Sequence, residues 1–173
     1  PTISVNLSHR HFDQPHFDQR IAALLAETGI AGRQLQLEIT EQVLIHPSDS
    51  LEATLAALRA LDVHLHLDDF GTGHSSLTAL YLFPITAVKI DRSFVRDIGQ
   101  PGKAYDLVAG IEALAKRFGL ATIIEGLEGK AQLELLAELG CTFAQGHCFA
   151  PPADAATTSA WLATWAGKPI TCQ

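Results

Sequence analysis

The feature that most narrows what this chain can fold into is an alternation of short strand-like runs with longer helical ones, repeated six times with brief connections. Two-residue apolar periodicity marks ISVNLS (3–8), LQLEIT (35–40), VHLHLDDF (63–70), AVKID (87–91), ATIIEG (121–126) and TFAQG (142–146). Helical periodicity marks residues 17–28, 51–61, 75–82, 104–118, 130–139 and 155–166. Asp49 with Glu52 has the spacing of a capping box, and Gly29, Gly119, Gly140 and Gly167 follow helical stretches as stops. Pro84 closes the short third helix. Strand and helix in strict turn, with no room for long loops, predict a parallel sheet covered by helices. Two architectures satisfy that pattern: an open doubly wound sheet, or part of an eight-stranded barrel.

The alternation of faces within each strand separates the two. Ile3, Val5 and Leu7 share one face while Ser4 and Asn6 share the other; Leu35, Leu37 and Ile39 oppose Gln36, Glu38 and Thr40. Val63, Leu65 and Leu67 oppose His64, His66 and Asp68, and Val88 and Ile90 oppose Lys89 and Asp91. Ile123 and Glu125 share a face in the fifth strand. Each strand thus has an apolar face for helices and a second face with a polar group at its C-terminal end. A doubly wound sheet needs both faces apolar. Polar groups converging from several strand ends suit the mouth of a barrel, where such folds keep their chemistry. The expectation is therefore an α/β chain supplying six β-α units of a (β/α)8 barrel.

At that mouth stand Asn6, Glu38, Asp68, Asp69, Asp91 and Glu125 with one cation, Lys89. Five carboxylates around one lysine repel one another and resist ionisation unless further positive charge is supplied. The donors are hard oxygens with no His/Cys cluster, which favours magnesium or manganese over zinc. Two such ions bridged by a shared Asp form an arrangement that cleaves phosphodiester bonds. Simpler roles exist for each residue singly: a strand-end Asp can cap a helix, His64 and His66 can be hydrogen-bonded barrel-interior residues, and Gly71–Thr72–Gly73 can be only a turn.

The balance of 12 basic against 19 acidic side chains, a formal charge of −7, leaves no basic stripe for nucleic acid. An acidic chain with a phosphorylated ligand needs metal ions between the two. Three cysteines, Cys141, Cys148 and Cys172, lack metal-ligand spacing and fit inert thiols in a reducing compartment. No apolar run is long enough to cross a bilayer; the longest, LTALYLFPITAV, is broken by Pro84. The chain opens on PTISVNLS, without Met and already alternating, as though cut from something longer.

Read in order, VNLS (5–8), LEITE (37–41), DDFGTGHSSL (68–77), KIDRSFV (89–95), EGLE (125–128) and QG (145–146) resemble the EAL domain family. These are bacterial phosphodiesterases that open the cyclic dinucleotide c-di-GMP to linear pGpG. The resemblance implies a modified eight-stranded barrel of which this chain carries the third to eighth strands, residues 1–173 being an N-terminally incomplete EAL domain. It implies that Asn6, Glu38 and Asp68 hold a first Mg2+ or Mn2+ ion, and that Asp69 and Glu125 hold a second with Asp68 bridging. Calcium is expected to bind and inhibit. Lys89 would hold the attacking water, Glu125 would also serve as general base, Asp91 would be an acidic catalytic neighbour, and Gln145 would contact the guanine side of the ligand. Phe70, Gly71, Thr72 and Gly73 would begin a loop over the metals, positioned by Glu41 and Glu128. His74 stands at the family's usual Tyr, and Ile124 where the family often has Ala. The Glu-Ala-Leu segment itself, with two strands and a ligand-gripping arginine, lies upstream in the family and outside these residues. The family also implies fusion to sensor or GGDEF-type domains, a homodimer, and cytoplasmic placement of a protein whose parent can be anchored at the inner membrane. A rival reading is a catalytically silent c-di-GMP receptor; the ligand set visible here favours the enzyme.

Overall fold

The computed structural model describes residues 1–44, 49–72, 77–96, 98 and 102–164. Its strands are β1 (Ile3–Leu7), β2 (Leu35–Thr40), β3 (His64–Phe70), β4 (Ala87–Ile90), β5 (Ala121–Ile124) and β6 (Phe143–Ala144). They form one parallel sheet in the order β1-β2-β3-β4-β5-β6. The order excludes the doubly wound alternative. Right-handed crossovers that always step the same way put every helix on one face, whereas a doubly wound sheet reverses direction at a switch point. The result is a sector of a TIM-type barrel.

The main helices are close to expectation: α2 (Phe17–Thr28), α4 (Asp49–Ala60), α5 (Leu77–Leu82), α7 (Lys103–Arg117), α8 (Lys130–Glu138) and α9 (Ala155–Thr164). Three four-residue helices were not foreseen: α1 (His9–Phe12), α3 (Glu41–Leu44) and α6 (Arg92–Val95). Each follows a strand directly, and one turn is too short to show a 3.6-residue period. Gly29 does end α2, in a left-handed conformation at φ 69°. The Asp49 side chain and Gly167, expected as a cap and a stop, lie outside what is described, as do residues 75 and 76 of the third expected helix.

The core lies between sheet and helices. Leu37, Ile39, Leu65, Leu67, Val88, Ile90 and Ile124 point outward from the strands and are at most 1% exposed; Leu55, Leu58, Val108 and Leu136 meet them from the helices. Two expectations fail at the edge. The apolar face of β1 is not covered: Ile3 is 56% and Val5 41% exposed, and only Leu7 is buried. A barrel strand is roofed by the helix before it as well as the one after, and the described residues include no helix before β1. At the other edge β6 pairs over two residues rather than five, and α9 buries none of its side chains. The cysteines also divide. Cys141 is free, but buried Cys148 is disulfide-bonded, which departs from the expectation of inert thiols.

Candidate metal centre

Register aligns the site. Asn6 pairs with Glu38 across β1 and β2, and Glu38 with His66 across β2 and β3. All three share the inner face with Asp68 and Lys89. The C-terminal ends of β2, β3 and β5 therefore aim carboxylates, and β4 the Lys89 ammonium, at one volume.

The Asp68–Asp69 doublet poses a geometric problem that strand alternation cannot solve, since consecutive side chains point to opposite faces. The structure solves it with an irregularity. Between Leu67 and Phe70 the register of β3 against β4 shifts, and Asp69 takes a left-handed backbone conformation at φ 54°. Bulges of this kind re-aim side chains beside active sites. Thr72 braces the kink, its Oγ1 donating to the Asp69 carbonyl at 2.9 Å and its backbone N–H at 3.2 Å. One ligand atom each from Asp68, Asp69 and Glu125 consequently falls within 4.8 Å of the others.

Lys89 is 3% exposed and sits among three carboxylates, 2.6 Å from Glu38 Oε2, 3.0 Å from Asp68 Oδ1 and 2.5 Å from Glu125 Oε1. Burial works to deprotonate it, but the bonds to Glu125 and Glu38 prevail and raise its pKa above the ordinary lysine value. It is fully charged at neutral pH. Burial raises the Glu125 pKa against the opposing pull of Lys89. Asp69 is raised too, by burial and then by the charges of Asp68 and Asp91. Gln145 Nε2 donates to Glu125 Oε1 at 2.8 Å and so holds a carboxylate of the site.

Asp68 Oδ1 is buried and has no hydrogen-bond partner among the described residues; its contact with Lys89 is an ion pair without hydrogen-bond geometry. An unsatisfied buried carboxylate oxygen beside two more carboxylates is what a divalent cation would complete. Glu38, Asp68, Asp69 and Glu125 against Lys89 leave three negative charges in excess. The oxygen donors fit magnesium or manganese.

The other expected residues sit at varying distance from this centre. Asn6 is exposed beside Glu38, with no side-chain hydrogen bond among the described residues. Asp91 caps α6, its Oδ1 accepting from Ser93 N at 2.9 Å; burial would raise its pKa, but that bond wins and lowers it. Glu41 is 7% exposed, its Oε1 buried and without a hydrogen-bond partner among the described residues. Glu128 is exposed and lines a rim cavity with Arg92, Ser93, Arg96 and Gly126. Phe70 is buried, and Gly71 at φ 92° passes so close to Phe94 that a Cβ would lie 3.1 Å from its ring. Gly73 and His74 lie outside the described residues. His66 was expected to be interior and hydrogen-bonded; it is interior, 4% exposed, but its Nδ1 has no partner among the described residues. Burial lowers its pKa to about 4, keeping the ring neutral. The bulge that unites Asp68 and Asp69 was missed; the only trace of it in the sequence is the doublet itself.

Residues 1–152 match the EAL domain family. The cyclic di-GMP phosphodiesterase NbdA of Pseudomonas aeruginosa is 34% identical over 160 residues, which cover 92% of this chain and 20% of that protein. The PaMucR phosphodiesterase in complex with c-di-GMP superposes with a TM-score of 0.83 at 33% identity, over 91% of this chain and 64% of that one. Klebsiella pneumoniae BlrP1, in a manganese and cyclic di-GMP complex, superposes at 0.81 with 29% identity, over 88% and 39%. The chain spans about a fifth of the length of the curated relatives it matches. No helix among the described residues is long and apolar enough to cross a membrane. With its sequence blocks, its sequential parallel sheet and its carboxylate centre all in agreement, the chain belongs to the EAL domain family.

Proposed function

We propose that this chain is the catalytic part of a c-di-GMP phosphodiesterase that hydrolyses one phosphodiester bond to leave linear pGpG. The observation that carries the reading is the convergence of Asp68, Asp69 and Glu125 within 4.8 Å beside a buried, charged Lys89. Asn6, Glu38 and Asp68 would hold one divalent cation, and Asp68, Asp69 and Glu125 a second. When bound, these ions would supply Lewis-acid charge at the scissile phosphate and make water acidic enough to be deprotonated near neutral pH.

The chain's own groups do the rest. Glu125, with a raised pKa and an oxygen fixed by Gln145, takes the proton of the attacking water. Lys89 keeps its proton and places a fixed positive charge where negative charge grows on the phosphoryl oxygens. Asp91 adds charge at the rim while anchoring α6. Water supplies the new P–O bond, and the ester oxygen on the far side leaves with a proton. As with other EAL proteins, a longer parent with sensor or GGDEF-type domains, a homodimer contact and inhibition by calcium belong to the same proposal.

The test is incubation of the full-length protein with c-di-GMP and manganese, with pGpG followed by chromatography and calcium as the control. Product with manganese and none with calcium supports the reading. Tight c-di-GMP binding with no product would replace it with the silent-receptor reading. Asp68→Asn and Glu125→Gln are expected to lower turnover at least 100-fold while the circular dichroism stays unchanged. Full activity in either would remove that residue from the site.

A further inference from the structure

His66 is the interior side chain that the proposed hydrolysis leaves without a task. It shares the inner face of β3 with Asp68 and is the direct register partner of Glu38 on β2. A buried ring nitrogen gives up its hydration, and leaving it unpaired is unfavourable enough that native interiors rarely do so. The partner has to come from the surroundings of Nδ1.

Lys89 is not available, because its ammonium is already drawn in among three carboxylates. Glu38 is available on one side only. Lys89 engages its Oε2, and its Oε1 has no hydrogen bond among the described residues. Glu38 and His66 both line an interior cavity of about 440 Å3, walled also by Ser4, Gln36, His64 and Gln145. Ala87, Ile123 and Phe143 make the rest of its wall largely apolar, but those polar side chains cluster enough polar groups around Glu38 and His66, in a space large enough, for ordered water with several partners.

We propose that His66 is a positioning residue for Glu38: a water in the interior cavity links the His66 ring to Glu38 Oε1 and keeps the carboxylate turned toward the cation site. Lys89 alone would draw Glu38 sideways through Oε2; the second attachment opposes that pull. The inference rests on Glu38 being a cation ligand, as in the proposed function.

The test is the manganese affinity of the full-length protein, read without substrate from the electron paramagnetic resonance signal of free aqueous manganese. His66→Leu keeps the bulk and loses the polar atoms, and is expected to bind manganese about 10–100-fold more weakly, the usual effect of removing a group that supports a metal ligand. His66→Gln, which restores a donor of similar reach, is expected to recover most of that loss. Unchanged affinity in His66→Leu overturns the proposal, and so does an equal loss in both variants. Should the leucine variant fail to fold, His66→Asn takes its place: weaker binding supports the proposal and parental affinity overturns it. A protein that binds manganese in a His66-dependent way yet leaves c-di-GMP intact would overturn the proposed hydrolysis and leave this inference standing.

Discussion

At Lys89 two opposing effects can be weighed, because burial alone would expel the charge that three carboxylates retain. Lys89→Met leaves those carboxylates together with no counter-ion. The metal-free chain is expected to lose about 3–5 kcal/mol of stability to urea, as when one partner of a buried ion pair is removed, and saturating manganese should return part of it. A loss below about 1 kcal/mol would show that the three contacts do not hold the lysine. Cys141 makes the opposite case, a group that burial keeps neutral. Its thiol, lying beside Glu112, is pushed up to about 12 by burial first and the carboxylate second. A folded-state pKa above the unfolded one contributes stability below about 9 that is lost as pH rises through about 12. Iodoacetamide at pH 8.5 is therefore expected to spare Cys141 in the native chain and label it in urea; rapid native labelling would contradict its burial. Which residues carry charge at the site was legible from strand alternation, since Glu38, Asp68, Lys89 and Glu125 all lie where parity puts them. That Gln145 would hold Glu125, and that His66 would lack a partner, depend on side-chain directions between strands far apart in sequence.

The strands and long helices were legible because each repeats its period several times; Phe17–Thr28 matches expectation at both ends. The three one-turn helices were not, and α6 exists because Asp91 caps it rather than because its side chains form a stripe. The bulge in β3 is the element on which the site turns, and it too breaks a period instead of following one. Its left-handed Asp69 yields a prediction about shape as distinct from charge. Asn tolerates that conformation and a β-branched residue does not. Asp69→Asn is expected to melt within about 0.5 kcal/mol of the parent while binding manganese more weakly. Asp69→Val is expected to lose about 1–3 kcal/mol as well. Equal stability of the two variants would mean that the kink is not imposed at this residue.

Among the described residues the sheet has two open edges, with β1 pairing only to β2 and β6 only to β5. Unpaired strand edges beside exposed Ile3, Val5 and Phe143 invite association with other chains. Val5→Lys is expected to reduce concentration-dependent association in sedimentation velocity and to leave the urea midpoint nearly unchanged; undiminished association would place the contact elsewhere. Sequential strand order was legible from the short connections, but the bare face of β1 was not, because a strand cannot announce whether a neighbour will roof it. The grip of Lys89 on three carboxylates has a consequence in time. Small zinc domains stay unfolded until their ion arrives. Here a built-in ammonium occupies the charge vacancy beforehand, so treatment with EDTA is expected to silence the centre and leave the circular dichroism intact. On the proposed function, synthesis and folding can thus finish first, and the supply of a divalent cation would then decide when a finished molecule begins to work.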